Sequence, residues 1–141
     1  MKQKKYKPHV DKLFWIISLP TISLVLGVSI LTAIAQTTML FVMVPIDLFV
    51  IYFIISPLFG YAELREKSLF IKYGIILKKD IPYDKIRAVE PGRGFYSQSM
   101  MSLKNSFEHL NIKYNRFDIT TLSVKNNAEF ASELENRIYS K

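Results

Sequence analysis

Residues 13–59 read LFWIISLPTISLVLGVSILTAIA, then QTT, then MLFVMVPIDLFVIYFIISPLF. Leu13–Ala35 is 23 residues long without formal charge, and Met39–Phe59 is 21 residues long with one charge, Asp47. A hydrocarbon core of about 30 Å takes about 20 helical residues to cross. Each run is long enough to span, and Gln36-Thr37-Thr38 suffices for a tight turn. The pair predicts a membrane α-helical hairpin over 13–59, with spans at 13–35 and 39–59. A basic arm (1–12) precedes it and a small domain (60–141) follows.

Charge sets the expected orientation. The arm carries Lys2, Lys4, Lys5, Lys7 and Lys12 against Asp11 alone, and the 36–38 turn carries none. From Gly60 onward there are 14 Lys/Arg against 10 Asp/Glu. Positive residues stay on the cytoplasmic side of a span. The expectation is a multi-pass cell-membrane protein with both termini, and the domain, in the cytoplasm. The arm reads as disordered or interfacial. Its lysines are either a topology signal alone or contacts to anionic headgroups, each worth about 1 kcal/mol near the surface. Lys2, Lys4, Lys5 and Lys7, with Trp15 at headgroup level, are the candidate headgroup contacts. A signal peptide ending at Ala33-Ile34-Ala35 is disfavoured. The apolar stretch is longer than an h-region, and cleavage would leave a chain that begins inside the membrane.

Within the hairpin, Ser23, Gly27 and Ile30 fall on one helical face, and small residues let helices approach closely. That face is expected to meet the second span. Asp47 lies about 12 Å in from Met39 at 1.5 Å per residue. A carboxyl at such depth costs a few kcal/mol unless protonated or paired. Asp47, Ser29 and Thr32 therefore form a candidate intramembrane polar site. It is either an ion, proton or peptide contact, or a hydrogen-bonded Asp meeting Ser29, Thr32 or a partner subunit.

After Gly60 the pattern changes to short alternating runs. Tyr61–Arg65 reads as a strand turned at Glu66-Lys67-Ser68, and Leu69, Ile71 and Tyr73 alternate before Gly74. Ile75–Ile81 follows, interrupted by Pro82-Tyr83-Asp84-Lys85. Ile86–Glu90 is closed by Pro91-Gly92-Arg93-Gly94. Such runs bounded by Gly and Pro predict antiparallel sheet. Residues 95–105, rich in Ser and Met without clear period, read as an irregular loop with room for one strand. Leu110, Ile112 and Tyr114 alternate, Asn115-Arg116 turns, and Phe117–Leu122 pairs back. Asn126 and Glu129 have capping-box spacing, and Phe130, Leu134 and Ile138 recur every four residues as one apolar helical face. Strands finished by one amphipathic helix make an α+β domain.

The stretch Leu69-Phe70-Ile71-Lys72-Tyr73-Gly74-Ile75-Ile76-Leu77-Lys78-Lys79-Asp80-Ile81-Pro82-Tyr83-Asp84-Lys85-Ile86 resembles the opening of the bacterial pleckstrin-homology (PH-like) domains. There an apolar strand, a Gly turn and a second strand lead to Ile-Pro and a Lys-Ile pair. Ser106–Tyr114 is similar to a block of the YyaB-like branch, short proteins that often carry two membrane spans before the domain. The resemblance covers about Tyr61–Tyr139. It implies seven strands in two antiparallel sheets forming an open barrel, capped by the C-terminal helix. It also implies a binding scaffold without catalysis and without a generally assigned ligand.

Chemistry-bearing constellations are sparse. With no cysteine there is no disulfide, thiolate nucleophile or Cys-based metal site. Gly92-Arg93-Gly94 lacks the further glycine or Lys-Ser/Thr of a nucleotide fingerprint. His9 and His109 have no ligand neighbours at metal spacing. No catalytic, cofactor or metal residue is assigned, and the chain is not expected to be an enzyme. Lys72, Lys78, Lys79, Lys85, Arg87 and Arg93 form a candidate basic binding patch, or else a solvated face interspersed with Glu63, Asp80, Asp84 and Glu90. The expected partners are the lipid bilayer and a peptide or another membrane protein; nucleic acid is not expected, and a homo-oligomer stays open.

The leading expectation is a membrane-anchored binding module for a peptide, a protein or an anionic lipid headgroup. The first alternative is self-protection, because such small basic proteins resemble immunity proteins that accompany leaderless, membrane-active bacteriocins. The second is a small subunit of a membrane transporter.

Overall fold

The structure, a computed structural model, describes residues 2–140 except 95, 98, 100, 101, 104 and 105. The chain runs β1 (Lys4–Tyr6), α1 (Lys12–Ala35), α2 (Leu40–Ile55), then β2 (Tyr61–Leu64), β3 (Ser68–Lys72), β4 (Lys78–Pro82) and β5 (Ile86–Arg93). β6 (Ser102–Leu103), β7 (Glu108–Tyr114), β8 (Asp118–Leu122) and α3 (Asn127–Tyr139) complete it. Short 3₁₀ turns, Thr37–Met39 and Ser56–Phe59, bracket α2.

The two apolar runs form the expected antiparallel helices, but they touch through a different face. Ser23 and Ile30 are exposed, and a Cβ placed on Gly27 would meet nothing within 4 Å. The inward side of α1 is instead Ser18, Ile22, Val25 and Ser29. A buried hydrogen bond from Ser29 Oγ to Asp47 Oδ1 (2.8 Å) sets that rotation. A polar pair constrains helix rotation more tightly than small size does.

The strands form two four-stranded sheets, ordered β1-β2-β3-β4 and β5-β7-β8-β6. Ala62, Leu64, Leu69, Ile71 and Ile81 of the first sheet face Leu110, Ile112 and Leu122 of the second, and Phe130 and Leu134 of α3 complete the core. Tyr73 OH and the Thr120 hydroxyl hydrogen-bond between the sheets.

Four expectations need correction. The arm is not disordered: β1 pairs antiparallel with β2 (Lys4↔Leu64, Tyr6↔Ala62), and Pro8 bridges to Val124. The anchor is Tyr6, buried with its ring edge-on to Phe130 at 5.0 Å. Second, the sheets are not wholly antiparallel, because β6 pairs parallel with β8 (Leu103↔Leu122). The antiparallel β7–β8 hairpin lies between β5 and β6, which therefore run the same way. β6 is the one strand for which the 95–105 loop left room, and residues 95, 98, 100, 101, 104 and 105 of that loop lie outside the described residues.

Third, β5 runs through Pro91 and Gly92 to Arg93. Pro is tolerated because β5 is an edge strand, where no ladder bond is lost. Gly92 has no room for a side chain, since a Cβ would lie 2.6 Å from His109 Nε2. Fourth, Asn126 does not cap α3 through its side chain. It is left-handed (φ 69°) and its amide donates to Glu129 Oε2 at 2.8 Å, while Asn127 Oδ1 accepts from the Val124 amide.

Candidate functional site

The end of the second helix and the first sheet are built against each other. Gly60 links them, and a Cβ there would meet Lys72 O at 2.5 Å. Strand alternation then sorts the side chains. Ala62, Leu64, Leu69, Ile71 and Ile81 point inward, so Tyr61, Glu63, Phe70, Lys72, Lys78 and Asp80 share the outer face.

Two rows cross that face. In one, Glu63, Phe70 and Asp80 stand opposite one another. Arg65 pairs with Glu63 (3.3 Å) and Asp80 (3.4 Å) and lies over the Phe70 ring, so one cation is shared by two carboxylates and this row stays acidic by one charge. In the other, nearer the hairpin, Tyr61, Lys72 and Lys78 stand opposite one another. The Lys5 ammonium sits 3.6 Å from the Tyr61 ring centroid and the Lys72 ammonium 6.0 Å from it. Among the described residues no carboxylate pairs with Lys5, Lys72 or Lys78. Two ammonium groups by one aromatic ring, with Lys78 opposite Lys72 on the next strand, make an anion-attracting row.

The six-residue basic patch is thereby divided. Lys79 takes the inner parity with Ile81, and its ammonium donates to Tyr114 OH at 2.7 Å. Lys85 lies at the other end of β4, where its carbonyl accepts from the Asn115 amide. Arg87 and Arg93 belong to the second sheet, and Arg93 pairs with Glu108 at 3.2 Å. Of the expected headgroup contacts, Lys5 joins the row. Lys2 lies beside Arg137 at the end of the sheet away from the hairpin. Lys4 pairs with Glu129, which raises the lysine pKa and lowers that of the glutamate. Lys7 is exposed, and so is Trp15, packed edge-on against Phe14 at the start of α1.

In the hairpin, Asp47 and Ser29 meet but Thr32 does not join them; its hydroxyl donates to Val28 O of its own helix. Asp47 borders a cleft of about 330 Å³ with Leu26, Ile30, Ile34 and Leu40. A second cavity, about 280 Å³, lies where the hairpin meets the domain, among Phe14, Ile17, Phe53, Pro57 and Phe107. Asp11 closes one side of it, accepting from the Phe14 amide at 3.1 Å and the Phe107 amide at 2.8 Å. Among the described residues no three His, Asp or Glu side chains cluster in a way that would hold a metal ion.

Tyr61 and its pairing with Lys5 were not singled out from the sequence. The inward Ala62 and Leu64 could have signalled that Tyr61 faces out. Nothing local signals that Lys5 lies beside it, because the two sit on strands separated by the whole hairpin.

The strand order, the buried alternation and the closing helix fit the match of residues 61–138 to the family model described as Bacterial PH domain. The chain belongs to the bacterial PH domain family. PH-like domains are generally non-catalytic binding modules. No curated protein and no solved structure matches this chain. Ahead of its PH-like domain the chain places two helices long and apolar enough to cross a membrane, and only 11% and 0% of their most apolar windows are buried.

Proposed function

We propose that this PH-like protein is a membrane-anchored, non-enzymatic module, set on the cytoplasmic face by the hairpin, that binds anionic lipid headgroups. The finer fold in this reading is an open barrel closed by α3, in the YyaB-like branch. The anchoring rests on the two exposed apolar helices. Both helix ends that join the domain lie on one side, because β1 before the hairpin pairs with β2 after it.

The observation that carries ligand choice is the Lys5–Tyr61–Lys72–Lys78 row, whose Tyr61 stands two residues beyond the end of the apolar stretch. A lysine at that level attracts anionic lipid by about 1 kcal/mol. The test uses the full chain in mixed bilayers and compares spin-labelled phosphatidylglycerol with spin-labelled phosphatidylcholine next to the protein. The expected result is a salt-sensitive preference for the anionic lipid that Lys5→Ala/Lys72→Ala/Lys78→Ala removes. Equal association of both lipids would overturn the headgroup reading and favour an acidic peptide or protein partner.

The Asp47 cleft supports a second reading, self-protection against a cationic membrane-active peptide. An apolar cleft with a carboxyl at its side suits the amphipathic, basic surface of such a peptide. Expression in a sensitive strain should raise the inhibitory concentration, and Asp47→Asn should cancel that protection. No change across a bacteriocin panel would count against it.

A further inference from the structure

The connection from β3 to β4 is a tight turn closed by a hydrogen bond from the Tyr73 amide to Leu77 O (2.8 Å). Its tip carries three large apolar side chains, Ile75, Ile76 and Leu77, which are 49%, 71% and 56% exposed. Turn tips of soluble domains favour Gly, Pro, Asn, Asp and Ser, and three consecutive exposed apolar residues are unusual unless they meet something.

The turn is docked on the second apolar helix. Ile75 donates its amide to Ser56 Oγ at 3.1 Å. Gly74 lies so close that a Cβ would run into Ser56 Oγ and meet Ser56 O at 3.1 Å. Ser56 opens the 3₁₀ turn that ends at Phe59, itself 59% exposed. At about 2 Å per residue, Ser56 lies about 6 Å inside the end of the apolar stretch. The tip therefore shares the level of the helix's final turns. Just behind it, Lys72 and Lys78 face each other across β3 and β4. An apolar tip backed by lysines is the arrangement of interfacial membrane anchors, with side chains among acyl groups and ammoniums among headgroups.

We propose that the Ile75–Leu77 tip is embedded in the acyl region of the leaflet from which the hairpin emerges, as a further point of attachment for the domain. The bilayer is the occupant that the geometry favours, because the tip is docked at Ser56, inside the final turns of the apolar stretch. Phe117 makes the contrast. It is 81% exposed, on the β7–β8 turn, at the other end of β7 from the Asp11–Phe107 contact with the hairpin. With the tip embedded, the domain cannot swivel about Gly60, and the Lys5–Tyr61–Lys72–Lys78 row is held in the headgroup layer.

This inference rests on the reading that the hairpin spans a membrane, and the experiment separates the two. The chain has no cysteine, so Val44→Cys, Ile76→Cys and Phe117→Cys each give one labelling site in the full protein. Each variant carries an environment-sensitive fluorophore and is reconstituted into phosphatidylcholine–phosphatidylglycerol vesicles with or without acyl-brominated lipid. The labels at 44 and 76 should emit to the blue and lose most of their emission to bromine, while the label at 117 behaves as in water. Quenching at 44 without quenching at 76 would overturn the embedded tip and leave the spanning hairpin intact. An unquenched label at 44 would overturn the spanning reading, and the tip inference with it.

Discussion

The Arg137 guanidinium donates to the main-chain carbonyl of Lys2 at 2.8 Å, tying the last helix to the first residues of the chain. The same buried side chain donates to the carbonyls of Leu64 (3.3 Å) and Arg65 (3.0 Å) and pairs with Glu133 at 3.1 Å. It is the clamp on the edge where β1 joins β2. Arg137→Met keeps the bulk but leaves those carbonyls without their donor, at a cost of about 2–4 kcal/mol. Amide hydrogen exchange on the full chain in detergent should show β1 and β2 losing protection, with α1 and α2 unchanged.

Gly74 and Ser56 form a second pair whose coupling can be measured. Gly74→Ala drives a methyl group into the Ser56 hydroxyl, and overpacking of this kind costs about 1–3 kcal/mol. Ser56→Ala removes the clashing oxygen but leaves the Ile75 amide without its acceptor. The double variant should be more stable than the sum of the two single losses predicts, by at least about 0.5 kcal/mol in a denaturation cycle. Strict additivity would mean that the turn and helix are not docked.

In the hairpin, Ser29→Ala and Asp47→Ala each remove the same hydrogen bond. Polar pairs between membrane helices contribute on average about 0.6 kcal/mol in double-mutant cycles. Asp47→Asn keeps an acceptor for the Ser29 hydroxyl and should leave helix pairing in micelles close to wild type, whereas Asp47→Ala should weaken it. If Asp47→Asn abolishes function while pairing is kept, the carboxylate charge itself is being used.

Burial pushes the Tyr73 hydroxyl up to about 12, from an ordinary value of 10.0. A proton held more tightly in the folded state gives a contribution that is fully present below about pH 10. That contribution is lost as pH rises toward 12, at about 1.4 kcal/mol per pH unit for one proton. An alkaline titration followed by tyrosinate absorbance should show a late step that Tyr73→Phe removes. Tyr83 is also raised by burial, so part of the alkaline destabilisation should persist in that variant.

Much of the domain was legible because its information is local. The alternation Leu69-Ile71-Tyr73 and that of Leu110-Ile112-Tyr114 name core faces directly, and both sets are buried. The face Phe130–Leu134 does the same for α3, although Arg137 on its buried side has no apolar signature. What escaped depends on partners distant in sequence. β1 is Lys-Lys-Tyr, polar at every position but its last, and becomes a strand only against β2. Ile75–Leu77 reads as the start of a strand, yet Gly74 and the Ser56 contact turn it outward. The basic patch was drawn along one stretch of sequence, but alternation sends Lys78 and Lys79 to opposite faces, and the division into two sheets removes Arg87 and Arg93.

The pairing of β1 with β2 has a consequence for how the protein is made. Both long apolar helices are an insertion between two neighbouring strands of one sheet. If the helices span, a chain whose second helix failed to cross would strand β1 on the opposite side of the bilayer from β2. The sheet would keep a raw edge, and Arg137 would lose its acceptor on Lys2. Closure of the domain thus acts as a checkpoint on membrane insertion: only a hairpin that has gone out and come back lets the fold be finished.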